Sequence, residues 1–318
     1  MSGSLRAIDL CCGAGGWACA ARGTRVEIVL AVDRCSESCR TYALNHALTE
    51  VICEDLLHDD VRRKVARVAG DGLDIVLGAI PCEWLSRLRR IQGGVPHNEV
   101  RSQRVLLDAT LDIVRCIMPR YWCLEDVPEV VNELPIMTPW QVIDALPWCG
   151  QRRKRAYIGV FPSPVVPGGL VTLGAHLRPG PYRIGKRSAD RRLVTHGISN
   201  STILGMGAGD SSYTVTGQAS SRRDAELVVT DDSLPGGRRQ LEWQEAASLQ
   251  GFPADYVFYG SPSGVMRMIG QAIQIDLGRA ILSEIVRDFQ GTSPPIPRRV
   301  ARTDIAPTIE LHVAGVRA

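Results

Sequence analysis

Gly78-Ala79-Ile80-Pro81-Cys82-Glu83-Trp84-Leu85-Ser86 sets a cysteine at the abrupt end of an apolar run, and the reading of that junction decides the fold. The run before it, Leu73-Asp74-Ile75-Val76-Leu77, is short, branched and bounded by glycines and a proline, the pattern of a buried parallel strand. Pro81 then stops the strand and fixes the turn that carries Cys82. A cysteine so placed lies at the carboxyl end of a strand, where open α/β sheets bind their ligands. Taken alone it reads as a buried structural thiol, since free Cys is among the most buried residue types. The motifs that precede and follow it reverse that reading.

At 318 residues the chain has room for one large domain, or one domain with a smaller module. Its 45% hydrophobic and 22% charged content is that of an ordinary globular protein. No apolar run reaches the roughly 18 residues that span a bilayer, and the amino terminus lacks a charged-then-apolar signal. A cytoplasmic protein with no membrane partner is expected. All ten cysteines lie between Cys11 and Cys149 without paired Cys-x-x-Cys spacing beside histidines, which points to reduced thiols and no metal. The net charge of +3 is too small to imply a polyanion by itself. Between Arg152 and Arg192, however, basic residues that include Arg183, Lys186 and Arg187 cluster with Asp190 as their only acid. Such a segment is either a solvated basic face or a footprint that neutralises phosphates.

Leu5 to Leu10 reads as a first strand, followed by the turn Cys11-Cys12-Gly13-Ala14-Gly15-Gly16-Trp17 that opens a helix. Glycines there let the backbone approach a ligand and put helix amides against it. Val26 to Val32 reads as a second strand ending in Asp33, about 20 residues on, where an acid can accept both ribose hydroxyls of a nucleoside cofactor. Asp55, after the short strand Glu50 to Cys53, is placed to touch an adenine. Trp84 to Asn98 has no clean period and reads as a loop able to close over a substrate. Glu99 to Cys116 has helical spacing and leads into strand Tyr121 to Leu124, which ends in Glu125-Asp126-Val127-Pro128. That acid is beside Cys82 if the two strands are neighbours.

Gln151 to Val160 reads as a basic strand in which Gln151, Arg153 and Arg155 share one face. From Pro162 to about Gly237 the composition turns to Gly, Pro, Ser and Arg, as in a small module of irregular loops and short strands. Arg239 to Pro253 reads as a short helix with a Gly-Phe-Pro stop. Ile269-Gly270-Gln271-Ala272-Ile273-Gln274 opens a last helix to about Phe289, and the tail from Gly291 is expected to lie extended.

In this linear order the segments resemble the cytosine-5 DNA methyltransferases, over nearly the whole chain to about Phe289. The resemblance rests on Asp9-Leu10-Cys11-Cys12-Gly13-Ala14-Gly15-Gly16, Pro81-Cys82 with Ser86, Glu125-Asp126-Val127, Gln151-x-Arg153-x-Arg155, Arg239-x-Leu241 through Gln250-Gly251-Phe252-Pro253, and Gly270-Gln271-Ala272. It implies an α/β fold: a Rossmann-like, S-adenosylmethionine-dependent methyltransferase sheet with a smaller target-recognition domain. The corresponding division is residues 1–161 for catalysis and cofactor, 162–237 for target recognition, 238–290 for the return to the first domain and 291–318 for the tail.

The resemblance further implies that Cys82 adds to C6 of a flipped cytosine, that Glu125 holds the ring, and that Arg153 and Arg155 position the nucleotide. S-adenosylmethionine contacts fall on Asp9, Cys11, Gly13, Gly15, Gly16, Trp17, Asp33, Asp55, Pro81 and Gln271. Contacts to double-stranded DNA fall on Ser86, Arg87, Gln151, Arg183, Lys186 and Arg187. A monomeric modification enzyme of bacterial or phage type is expected. The chain departs from the family's usual residues at Ile80, Glu83, Asp126 and Cys11, and in Gly270-Gln271-Ala272-Ile273-Gln274 where Gly-Asn-Ala-Val-Pro is usual. The longer amide of Gln271 leaves open a modified donor, such as a carboxylated S-adenosylmethionine analogue. The same motifs are compatible with methylation of tRNA cytosine and with a catalytically weakened DNA-binding relative.

Overall fold

The computed structural model describes residues 3–70, 72–81, 97–169, 171, 182–187, 193–194, 227–231 and 238–292. Cys82, Ser86 and Arg87, most of the loop read from Trp84 to Asn98, and the tail from residue 293 lie outside the described residues. For Arg183, Lys186 and Arg187 the backbone alone is described, as part of the strand Tyr182–Arg187.

Seven strands form the main sheet, in the order β3-β2-β1-β4-β5-β7-β6. They are β1 (Leu5–Leu10), β2 (Val26–Asp33), β3 (Glu50–Cys53), β4 (Ile75–Ala79), β5 (Tyr121–Asp126), β6 (Trp140–Asp144) and β7 (Lys154–Val160). The first five run parallel, and β7 pairs antiparallel with both β5 and β6. Parallel strands are covered on both faces, and β1, β4 and β5 are buried along almost their whole length. On one face Ala7, Ile75 and Leu77 pack with Trp17 of α1 (Gly16–Ala21) and with Leu277, Ile281 and Ile285 of the final helix. On the other, Ile8, Leu10 and Val76 meet Val61 and Val65 of α3 (Asp59–Gly70) and Leu106 and Ile113 of α4 (His97–Ile117). A second helix, α2 (Ser36–Asn45), connects β2 to β3. The strand order reverses between β1 and β4, so the crevice of the fold opens at their carboxyl ends.

Several boundaries differ from the sequence reading. Strand β4 begins at Ile75 and takes in Gly78 and Ala79, because Asp74 serves as a clamp: its carboxylate accepts the Arg6 amide at 2.9 Å and its own amide donates to the Arg6 carbonyl. Glu125 and Asp126 belong to β5, with Glu125 paired to Ala79 on one side and to Tyr157 on the other. Gln151 and Arg153 precede β7.

After the short helices α5 (Leu146–Cys149) and α6 (Trp243–Gln250) comes α7 (Pro262–Gln271), which the sequence reading lacked. Ser261 caps it by accepting the Gly264 amide at 3.1 Å, with proline at the first helical position. Gly270 and Gln271 therefore end α7, and Ala272 to Gln274 join it to the last helix rather than opening that helix. The final helix α8 (Ile275–Phe289) begins where the Gln274 side chain accepts the Leu277 amide at 2.7 Å. The strands β8 (Tyr182–Arg187), β9 (Leu193–Val194), β10 (Leu227–Asp231) and β11 (Arg238–Gln240) form a small antiparallel sheet in the order β11-β10-β8-β9. Its last strand extends past the division read at residue 237.

Gly159 fixes the seam between β5 and β7. Its φ is 147°, and a Cβ there would stand 1.9 Å from the Trp122 carbonyl oxygen. A clash with backbone is not relieved by a rotamer change, so Gly159→Ala is expected to destabilise the fold by about 3 kcal/mol or more. Chemical denaturation of the two proteins checks this.

Candidate active site

The turn after β1 is built from residues in unusual backbone conformations. Cys11, Gly13 and Gly15 have φ of 52°, 53° and 88°. At Gly15 the requirement for glycine is steric as well, since a Cβ would lie 2.8 Å from Tyr256 Oη and 3.1 Å from His46 Nε2. At Gly16 a Cβ would lie 3.0 Å from Ile273 Cγ1 and 3.3 Å from Ile273 N. Gly13 differs from both, because no atom lies within 4 Å of its Cβ position. The turn is thus packed from below and open at Gly13.

Asp33 ties this turn to the end of β2. Its Oδ2 accepts the Gly13 amide at 2.9 Å and its Oδ1 accepts the Cys35 amide at 2.8 Å. Burial raises the Asp33 carboxyl above its ordinary value, and the two amides pull against that rise. Asp55 accepts the Leu57 amide at 2.9 Å and lies 3.7 Å from Arg34. The Cys11 thiol is held protonated, first by burial and then by the carboxylates of Asp33, Asp9 and Asp55. Beneath the turn the Tyr256 hydroxyl donates to the Ala14 carbonyl, so its 3.1 Å contact with His46 Nε2 takes the imidazole as donor.

A second cluster gathers at the ends of β5 and β7. Glu125 is buried, with Oε1 3.0 Å from Arg155 Nε and 3.8 Å from Arg153 Nη2. These are ion pairs outside hydrogen-bonding geometry, so Oε1 accepts no hydrogen bond among the described residues. Arg153 Nη2 donates to the carbonyls of Ala272 at 2.8 Å and Gly270 at 3.2 Å. The backbone leading to Cys82 runs alongside, since the Ile80 amide donates to the Glu125 carbonyl at 3.0 Å and the partly exposed Pro81 follows.

The structure therefore brings Cys11, Gly13, Asp33, Asp55 and Pro81, all partly exposed, to the carboxyl edge of the parallel strands. Gln271 is exposed at the end of α7. The other four residues read as cofactor contacts, Asp9, Gly15, Gly16 and Trp17, are buried. Trp17 is 1% exposed and donates from Nε1 to the Gly78 carbonyl at 3.1 Å, closing the switch point from within the core. Gly16 is buried against Ile273. Asp9 is sealed under the turn, with neither carboxylate oxygen hydrogen-bonded among the described residues. Burial and the neighbouring Asp33 raise its carboxyl well above the usual range. The side chains of Asp9 and Trp17 shape the turn from beneath.

Gln151, read as a DNA contact, is also wholly buried, and its Nε2 donates to the Leu249 carbonyl at 3.2 Å and to Gln250 Oε1 at 3.3 Å. Its position just before β7 turns the amide inward, away from the period-two face assigned to it. Sequence reasoning missed Tyr256 and His46. The available signal was the aromatic spacing Phe252, Tyr256, Phe258 after the Gly-Phe-Pro stop, whose rings pack on one another within 4.9 to 5.2 Å.

A mixed sheet with a glycine turn at its switch point, an acid at the end of β2 and a buried acid flanked by two arginines gives the chain an α/β fold whose crevice opens at the carboxyl ends of β1 and β4. The family model for the C-5 cytosine-specific DNA methylase matches residues 5–146 and 190–287, and the chain belongs to that family. Among solved structures it is similar to a prophage-encoded E. coli protein described as a DNA modification methyltransferase, with a TM-score of 0.63 and 16% identity over 90% of this chain and 100% of that one. It is also similar to a mutant form of Spodoptera frugiperda DNMT2, with a TM-score of 0.61 and 15% identity over 89% and 100%. S. pombe Dnmt2 methyltransferase gives a TM-score of 0.59 and 14% identity over 90% and 99%. At these identities the likeness is one of fold. No curated protein sequence matches the chain.

The family uses S-adenosylmethionine, and the residues present fit it. Gly13 leaves open space above the turn, while Asp33 and Asp55 keep lone pairs beyond the one amide each bound oxygen accepts.

The support beneath the turn predicts a pH dependence. Burial, reinforced by Arg22, lowers His46 from 6.5 to about 4. The folded value lies below the unfolded one, so the unfolded chain takes up the proton first as the medium is acidified. Stability is full above about pH 6.5 and is lost as pH falls towards about 4. Tm is expected to fall through that window, and His46→Gln to flatten that component of the profile.

Proposed function

We propose that the chain transfers a methyl group to C5 of a cytosine in duplex DNA, with Cys82 as the nucleophile. The observation that carries this reading is Glu125. A buried carboxylate with an open acceptor oxygen, flanked by two guanidiniums, lies beside the backbone that runs into Pro81 and then Cys82.

S-adenosylmethionine, held by the Gly13 turn, Asp33 and Asp55, supplies an electrophilic methyl group. The Cys82 thiolate adds to C6 and forms a carbon–sulfur bond, and the displaced electron pair makes C5 nucleophilic. Glu125 receives the exocyclic amine and N3 edge of the base, where charge changes as the thiolate adds. Arg155, the nearer cation, and Arg153 hold that carboxylate in place. C5 then bonds to the methyl group as the bond from that methyl to the sulfonium sulfur breaks, leaving S-adenosylhomocysteine. Transfer of the C5 proton to a solvent base restores the C5–C6 double bond and expels the Cys82 thiolate. A base inside a duplex is out of reach of such a cluster, so the cytosine is flipped out, at a cost of a few kcal/mol. The basic residues between Arg152 and Arg192 offset part of that cost through phosphate contacts.

Mass spectrometry of nucleosides from DNA incubated with the protein and S-adenosylmethionine is expected to show 5-methylcytosine. Cys82→Ala should abolish it, and Glu125→Gln should lower kcat by about a hundredfold or more. Product confined to tRNA would overturn the DNA assignment. Product formed only from a carboxylated donor would overturn the methyl assignment. Cofactor binding with no product from any of these would identify a DNA-binding relative.

A further inference from the structure

Two buried glutamines outside the reacting cluster join the sheet to the chain's last segment. Gln250, the final residue of α6, donates from Nε2 to the Ala272 carbonyl at 2.6 Å, and its Oε1 accepts from Gln151 Nε2 at 3.3 Å. Its backbone is fixed by Gly251, whose φ of 89° ends the helix against Ile275. The Ala272 carbonyl is shared: Arg153 Nη2 reaches it at 2.8 Å, and the same nitrogen lies 3.8 Å from Glu125 Oε1. One residue further on, Ile273 sits against Gly16 of the glycine turn. The segment Gly270–Ile273 therefore touches the Glu125 cluster at one end and the cofactor turn at the other.

We infer that Gln250 is a positioning residue that couples these two halves of the site. A carbonyl oxygen has two lone pairs, and Gln250 and Arg153 each occupy one on Ala272. With the Gln250 donor removed, a buried carbonyl is half satisfied and Arg153 is the only described side chain holding it. The separation of Arg153 from Glu125 and the contact of Ile273 with Gly16 then shift together, because both depend on where this segment lies. Gln151 serves the same chain one step back, by fixing the orientation of the Gln250 amide. The effect on catalysis rests on the roles proposed above for Glu125 and Arg153, whereas the effect on the cofactor turn does not.

Gln250→Met keeps length and burial while removing the donor. It is expected to lower kcat about tenfold and to weaken S-adenosylmethionine binding severalfold by calorimetry. Amide hydrogen exchange should show lost protection in the peptide spanning Cys11 to Trp17. A lower Tm with unchanged cofactor affinity and unchanged exchange in that peptide would mean that Gln250 only fills space, and the inference would fall. If the protein forms no methylated product at all, affinity and exchange still decide the matter. Should Gln250→Met fail to fold, Gln151→Met provides the same readouts: a change of about twofold in both supports the coupling, and no change in either overturns it.

Discussion

A guanidinium cannot lose its water without taking charge and hydrogen bonds from the protein in exchange, and only 2% of the Arg153 side chain is exposed. Desolvating such an ion costs several kcal/mol even after relaxation. Glu125 supplies the opposite charge at 3.8 Å, but that carboxylate is closer to Arg155, at 3.0 Å. Much of the compensation comes from the carbonyls of Gly270 and Ala272. They are available because α7 stops at Gln271, and a helix leaves its last carbonyls without partners inside the helix. One buried cation thus draws the end of α7 onto the edge of the sheet. The apolar packing of Leu277, Ile281 and Ile285 of α8 against the same sheet completes the attachment of this segment.

The cofactor turn is held by other means. Its shape is a matter of backbone dihedrals, with three residues at positive φ, and of what packs beneath it. Asp33 pins it to β2, Trp17 pins the following helix to β4, and Tyr256 with His46 supports it from below. Apart from Tyr256 and Ile273, those parts come from the first third of the chain. The turn is a local structure, whereas the Glu125 cluster combines segments about 150 residues apart in sequence.

That difference explains how much was legible in the sequence. Strands β1, β2 and β3 could be read to within a residue because each is rich in apolar residues and runs into a clear stop: the Cys11–Gly16 turn, Asp33 and Glu54-Asp55 respectively. Glu125 was legible as an acid at the carboxyl end of a strand. β4 was read two residues early because an apolar count cannot show that Asp74 is used up in clamping Arg6. α7 was missed because its stripe of Val265, Met266 and Ile269 is short and its start is signalled only by Ser261 and Pro262. Gln151 was read as facing DNA because the alternation of a strand was extended over residues that precede the strand. Its partners, Leu249 and Gln250, are far away in sequence, and nothing local marks an amide as buried. For the same reason Asp9 and Trp17 read as ligand contacts, although each faces the interior under the turn.

The two ways of holding the site also set what each half can tolerate. Glu125 lies in a central strand whose backbone is paired to Ala79 on one side and to Tyr157 on the other, so little beyond its side-chain torsions is free. Its carboxylate is aimed by Arg155 and Arg153, and a change in either cation alters charge and direction without disturbing the ladder. Beyond the Cys12 amide, which donates to the Val32 carbonyl at 3.0 Å, the turn continues without a paired strand, and a side chain at Gly15 would have to displace Tyr256, His46 or Tyr42. Substitution there disturbs the conformation itself. The segment Gly270–Ile273 meets both regimes: it is anchored by hydrogen bonds at Ala272 and by close packing at Gly16. A shift of a few tenths of an ångström in that segment is felt as direction at one end and as shape at the other.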